Sequence, residues 1–456
     1  MSTALSSCHL IRLSLFTFAA LVAVVAGDAQ AYDYAGHLLS GAYIAHETFP
    51  AAVGGSKDND QLVFSNRAYL DVSKIGRSQY EFVTDIRDNH DFFDKVDTAR
   101  LNLTGQNKFR LRLLAFKDPG ITHPYFWAVG RFLPGDNGVI YNDGAEVGYK
   151  VTSSNRIGAF AGRRPQVNDE RAAQAAAAAL QVGIYDVYQN DSMIWNEGKY
   201  SSNMLVYAPR TFVHDEMTQS LDYIHQSFLH FGPNDRLNTY LDLATRPAVK
   251  AEDALIGYDH RFNAELSSSI NYTRIDLTEY KNSRDIFETL SASSYQQLRL
   301  QSRYNLPWSM RLDGHILYGE RYLDHLRRVE VAAGPRFSKL LGGHATISYA
   351  LGYRRNFLSN DWFLNNNMTH YSESWEISGD LKLGLRHQDS GENLHPVTCG
   401  LRLGHVFAES VLATLGAEYA HDERTTISSG LLTIGYRFGS REFLPIRDVA
   451  PPSERF

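Results

Sequence analysis

Four stretches of the chain alternate apolar and polar residues with a period of two. In residues 430–438, Leu432, Ile434, Tyr436 and Phe438 fall on one side and Leu431, Thr433, Gly435 and Arg437 on the other. In residues 375–386, Trp375, Ile377, Leu381, Leu383 and Leu385 oppose Glu376, Ser378, Asp380, Lys382 and Arg386. Residues 397–406 and 345–354 repeat the split, with Arg402 and Arg354 on their polar sides. Successive side chains of a β-strand point to opposite faces, so this period predicts strands with one greasy and one polar face.

The runs are long: nine to thirteen residues, against about five or six for a strand of a soluble sandwich and roughly 9 to 11 for a strand tilted through a bilayer. In hydrocarbon every N–H and C=O must be paired, and a sheet achieves this only by closing on itself. The expected fold is therefore all-β, a transmembrane antiparallel β-barrel. Turn signals separate the alternating runs: Asp-Pro-Gly at 118–120, Pro-Gly-Asp-Asn-Gly at 134–138, Gly-Pro-Asn-Asp at 232–235 and Leu-Gly-Gly at 341–343. The first strand is expected at 34–47. At roughly 24 residues per strand and turn the chain predicts about 18 strands, with 16 and 20 as the neighbouring even numbers. A plug domain plus 22 strands is expected to overrun the residues available.

The first thirty-one residues read differently. Arg12 precedes an apolar stretch at 15–27, and Ala29-Gln30-Ala31 offers a small-residue cleavage site. Thirteen residues are too few to span a bilayer, which takes about 20. The expected organisation is a signal peptide over 1–31, a barrel over 32–438 and a periplasmic tail over 439–456 that holds Pro445, Pro451 and Pro452. Mean hydropathy of -0.32 agrees with a chain that crosses membranes without helices, and the expected location is the outer membrane of a Gram-negative bacterium.

Composition narrows the chemistry. A net charge of -6 gives no basic field for phosphates, so no nucleic acid partner is expected. Cys8 and Cys399 are the two cysteines, which excludes a disulfide framework or zinc cluster, and no cofactor or metal is expected. Asp85, Asp88, His90, Asp91, Asp94 and Asp97 surround Phe92 and Phe93 without EF-hand spacing and are read as a solvated loop. Residues 168–180, with the alanine run 175–179, read as a surface loop, with a short helix or a continuation into the strand ending near Tyr188 as the alternatives.

Residues 431–438, alternating and closed by the aromatic Phe438, resemble the closing-strand signal of Gram-negative outer-membrane barrels. The resemblance implies insertion into outer-membrane lipid by the barrel-assembly machinery, recognised through this segment. Those proteins commonly end at the aromatic, whereas this chain continues to Phe456. Val129-Gly130-Arg131, Asp143-Gly144-Ala145 and Ala159-Phe160-Ala161-Gly162-Arg163 resemble strand pairs of substrate-specific porins and alginate-export-type barrels.

With apolar faces on lipid, the other faces line a lumen. The pore-lining candidates are Arg299, Arg303, Glu330, Arg336, Arg354, Glu376, Asp380, Lys382, Arg386, Arg402, Glu418 and Arg437. Mixed charge of this kind selects permeating solutes, or rigidifies a filled barrel through ion pairs. Tyr304, Trp308, Tyr318, Tyr322, Tyr349, Tyr353, Tyr371, Trp375, Tyr419 and Tyr436 are expected in aromatic girdles at headgroup level. The leading functional reading is a monomeric or trimeric porin-like channel for an unidentified small solute or polysaccharide. A structural or adhesive barrel with a blocked lumen and an outer-membrane hydrolase are the alternatives; no motif fixes a catalytic residue.

Overall fold

The computed structural model describes residues 33–50, 56–75, 78–93, 107–136, 140–165, 180–190, 199–211, 217–244, 250–275, 295–321, 325–356, 358–407 and 410–439. The expected signal segment, the tail beyond Gly439 and the alanine run lie outside these residues. The described chain is a succession of strands. The first eight are β1 (Asp33–Pro50), β2 (Ser56–Ser73), β3 (Glu81–Phe93), β4 (Asn107–Asp118), β5 (Tyr125–Phe132), β6 (Asn142–Lys150), β7 (Asn155–Arg163) and β8 (Leu180–Asn190). There follow β9 (Lys199–Thr211), β10 (Met217–His230), β11 (Asp235–Ala244), β12 (Lys250–Arg261), β13 (Leu266–Ile275), β14 (Tyr295–Leu306), β15 (Met310–Arg321) and β16 (Arg327–Leu340). The last are β17 (Ala345–Asn356), β18 (Ser359–Tyr371), β19 (Trp375–Gln388), β20 (Asn393–Leu394), β21 (Val397–Phe407), β22 (Val411–His421) and β23 (Thr426–Gly439).

Each strand pairs antiparallel with the next, β19 passes directly to β21, and β23 returns to β1 from Ala35↔Gly439 to Thr48↔Thr426. The result is a closed ring of 22 strands. The short β20 lies outside it, held to β19 through Arg386↔Leu394 and His387↔Asn393. The count of about 18 expected from the sequence is therefore wrong. Spread over residues 33–439, the strands and connectors average about 18 or 19 residues rather than 24. Strands as brief as β5, β6 and β7, with eight or nine residues each, give too few alternations to be counted. Twenty-two strands without a plug domain fit within residues 33–439.

Among the described residues the connectors at the end holding Asp33 and Gly439 are short, as at 151–154, 231–234, 307–309 and 372–374, and at the other end the connector 389–396, which holds β20, is longer. The acidic segment corrects a second expectation: Asp85, Asp88, His90 and Asp91 belong to β3 and pair with β2, as in Tyr69↔Asp85 and Asn66↔Asp88. Asp85 and Arg87 lie on the concave face there, but Asp88 and His90 share the convex face with Phe82 and Ile86, so the alternation that marks a strand is masked.

Closure gives the sheet a concave and a convex face, and the alternation sorts side chains between them. Leu351, Leu385, Leu401, Leu415 and Ile434 are between 47% and 61% exposed on one face. On the other, Asp85, Glu146, Asp222, Asp361 and Arg437 are buried. Side chains on a concave wall converge and cover one another, so the polar face is the inner one.

One inner sector is apolar. Phe126, Ile140, Phe160, Tyr185, Val187, Met204, Val206 and Ile224 form a buried cluster from β5 to β10. Large rings lie over glycines of the neighbouring strand: Phe126 over Gly148, Tyr185 over Gly158 and Phe160 over Gly183. The connector between β5 and β6 turns inward onto this cluster. Pro134, Gly135 and Ile140 are buried there, Gly135 abuts the Tyr185 ring, and Arg156 Nη2 donates to Gly135 O at 3.2 Å.

Gly130 is the strained point of β5. Its φ is 117° and a Cβ would stand 2.1 Å from Leu114 O, a backbone atom that cannot move aside. Gly130→Ala is expected to cost roughly 1 to 3 kcal/mol, read as a lower midpoint in denaturant unfolding of the refolded barrel; an unchanged midpoint would show that β4 and β5 separate freely there.

Candidate functional site

The strand register brings the twelve predicted lining residues onto the concave face. One cross-strand row runs Arg299↔Leu317↔Glu330↔Arg354↔Asp361↔Arg386 over six consecutive strands, β14 to β19. Below it Arg303 faces Asp313 and Arg336 faces Arg311. Lys382, Asp380 and Glu376 face Thr398, Gly400 and Gly404, Arg402 faces Ser378 and Glu418 faces Gly400, and Arg437 faces His37 on the closing seam. The six strands of the row, β14 to β19, hold nine of the twelve close together. Arg402, Glu418 and Arg437 lie further round the ring.

Asp361 is the centre of that row, and the sequence reading missed it. Its side chain is 3% exposed and accepts from Arg354 Nη2 at 2.8 Å and from Arg386 Nε at 3.1 Å. Arg354 also sits over the Phe363 ring, 5.7 Å from its centroid, a cation–π placement that fixes the guanidinium's plane. Glu330 accepts from Arg328 Nη2 at 2.8 Å and is 2.9 Å from His315 Nε2. A recess of about 310 Å³ opens beside these groups, bounded by Glu330, Arg354, Asp361, Phe363, Lys382 and Arg386. Strand β18 escaped notice because Phe363 stands on its polar face and Asn366 on its apolar one, which blurs the alternation.

The charges are unevenly distributed. On the concave face of β14 to β17 stand Arg299, Arg303, Arg311, Arg321, Arg328, Arg336 and Arg354, against the carboxylates Asp313 and Glu330. Asp313 lies 2.9 Å from Arg311 Nε and 3.8 Å from Arg303 Nε. Arg299 Nε is buried with no hydrogen-bond partner. Strands β10 to β12 carry the opposite bias, with Asp222, Asp242, Asp253 and Asp259 against Arg236 and Arg261. A basic arc and an acidic arc thus share the wall.

The convex face is ringed by aromatic residues at both ends. Tyr304, Trp308, Trp375 and Tyr436 lie near the short connectors, with the His405 ring 4.0 Å from Trp375. Near the other end Tyr353 packs against Trp362 with centroids 5.2 Å apart, and Tyr318 and Tyr419 are exposed. Tyr349 lies on the same face between the rings. Tyr371 departs from its expected place: register pairs it with Glu376, on the concave side. Tyr322 lies outside the described residues.

Between the connectors 389–396 and 422–425, Glu423 accepts hydrogen bonds from the His395 imidazole and from the His395 amide, the latter at 2.8 Å. These bonds, the imidazole's first, hold its carboxyl down at about 2 from an ordinary 4.5. A depressed acid stabilises the folded state above its ordinary pKa and loses that contribution as the pH falls through the folded value. Protection of the His395 amide is expected to be full above pH 4.5 and to vanish towards pH 2, read by hydrogen exchange corrected for intrinsic rate; constant protection would remove Glu423 from the tie.

No family model matches the chain and no curated protein matches it. Solved structures that resemble it include Pseudomonas aeruginosa OccK3 (OpdO), 10% identical over 90% of this chain and 96% of that one, with a TM-score of 0.43. A BenF-like porin from Pseudomonas fluorescens Pf-5 is 9% identical over 90% of this chain and 99% of that one, TM-score 0.43. A bacterial polysaccharide outer membrane secretin is 11% identical over 57% and 91% of the two chains, TM-score 0.37.

Proposed function

We propose that the chain spans an outer membrane as a porin-like channel whose basic arc favours anionic solutes. The observation that carries this reading is the closed 22-strand ring with apolar side chains exposed outside and a charged wall inside. An exposed belt of Leu, Ile and Val is costly in water and at home in lipid, and a charged concave wall is the reverse. A circular ring of 22 strands spaced about 4.8 Å apart and tilted about 40° measures on the order of 40 Å between opposite backbones. Side chains reach only part of the way across, leaving room for water. On this reading residues 1–31 are removed on export, and β23 presents Leu431 to Phe438 to the assembly machinery.

Conductance in a planar bilayer tests the proposal. Purified protein is expected to open in discrete steps, with a reversal potential in a salt gradient of the sign for anion preference. A preparation that is folded and never conducts would instead support a structural barrel with a filled lumen. One observation favours that second reading: the inward connector and the apolar cluster occupy the sector from β5 to β10. Deleting residues 134–140 is expected to raise single-channel conductance when this sector narrows an open path, and to leave it unchanged when the path lies elsewhere.

A further inference from the structure

The convex wall has a polar gap at mid-height. Asp186 on β8, Asn203 on β9 and His225 on β10 are direct cross-strand neighbours. They share a face with Ile184, Leu205 and Leu221, which are 59%, 39% and 39% exposed. Asn203 ties them together: its Nδ2 donates to Asp186 at 3.1 Å, and its Oδ1 lies 2.9 Å from His225 Nδ1 and accepts from Tyr223 at 2.7 Å. Ser227 and Thr239 form a further hydroxyl pair at 2.6 Å on the same side.

Register gives the depth of this gap. The row through Asp186 continues downward as Ile157↔Tyr149↔Tyr125, reaching the first residue of β5 in the aromatic ring by the short connectors. In the other direction it runs from His225 through Leu241 and Ala254 to Arg274, next to the last residue of β13 at the opposite end. Asp186, Asn203 and His225 sit midway along that climb. They therefore face the centre of the hydrocarbon, where an exposed carboxylate and a half-buried amide and imidazole gain from lipid no hydrogen-bond partner beyond one another.

We propose that this gap is covered by a second copy of the chain, packed about a two-fold axis along the membrane normal through Asn203. The inference rests on the membrane reading above. Three features favour a second copy as the occupant. The patch carries an acceptor-only carboxylate on one flank and an imidazole on the other, so it is complementary to its own copy, and two such clusters meeting about the axis offer one another both donors and acceptors. Copies inserted in the same direction keep their patches at the same height, and closed two-fold pairs are the commonest assembly. The hydroxyls of Ser201, Ser227 and Thr239 are small enough for the walls to approach closely, while Ile184, Leu205 and Leu221 supply apolar contact beside them.

Disulfide trapping in isolated outer membranes tests the pairing. Asn203→Cys, in a Cys399→Ser background that removes the exposed convex cysteine, is expected to give a band at twice the monomer mass on oxidation. Leu415→Cys, 58% exposed on β22 of the same face, is expected to give none. In mild detergent the unaltered protein is expected to run as a pair, and Asp186→Leu with His225→Leu as a monomer whose heat-modifiable migration shows it folded. A folded, membrane-resident N203C that stays monomeric, links to a different protein, or links no better than L415C overturns the pairing and leaves the membrane reading standing. Absence of the unaltered protein from the membrane fraction overturns both.

Discussion

Replacing Arg299, Arg303 and Arg336 together by Glu raises the energy of a permeating anion and lowers that of a cation by the same amount, and is expected to lower the anion-to-cation permeability ratio by roughly twentyfold at 0.1 M salt and about three hundredfold at 0.01 M. The estimate follows from charge alone. A unit charge about 10 Å from a permeating ion in water contributes about 0.4 kcal/mol, and the triple substitution changes six charges. Screening over a Debye length of about 10 Å at 0.1 M reduces the sum to roughly 0.9 kcal/mol, and a length near 30 Å at 0.01 M leaves about 1.7. The reversal potential in a salt gradient reads both values. Because Arg336 and Arg299 have no carboxylate opposite them in register, their loss leaves no stranded acid to compensate. A ratio that does not move with salt would show that ions pass by a path remote from the β14 to β16 wall.

The second large effect concerns stability. Asp361→Leu is expected to lower the unfolding free energy by roughly 2 to 4 kcal/mol, because removing one member of a buried ionic group leaves its partners uncompensated. The side chains of Arg354 and Arg386 are 30% and 29% exposed, so part of their charge is rehydrated, which keeps the cost below that of a fully enclosed pair. Replacing all three residues by apolar ones of similar volume is expected to recover much of the loss, since the triad's desolvation disappears with its attraction. Denaturant unfolding in detergent measures the series. A single substitution costing under about 1 kcal/mol would mean that water penetrates the row and screens it.

The stretches with the cleanest two-faced pattern were read correctly as strands because each side chain's environment there is set by its own parity. Residues 375–386 and 430–438 became parts of β19 and β23, and Leu383 and Arg386 took opposite sides of the wall. The same parity placed twelve charged residues on one face, Arg299 to Arg437, without any knowledge of which would meet. It failed where local chemistry masks alternation: in the acid-rich β3, in β18 with Phe363 on its polar side, and in the eight- and nine-residue strands that raised the count to 22.

Alternation along the chain therefore determined that this protein is a sheet with a greasy and a charged side, because a strand's period is a property of neighbouring residues. Tertiary structure alone decided that Arg354 and Arg386 converge on Asp361, that Gly135 and Ile140 fold inward onto Tyr185 and its cluster, and that Asp186 and His225 interrupt the convex wall at mid-height. Those contacts join residues 7 to 25 positions apart or more, and they depend on register and shear, which one strand's sequence does not encode.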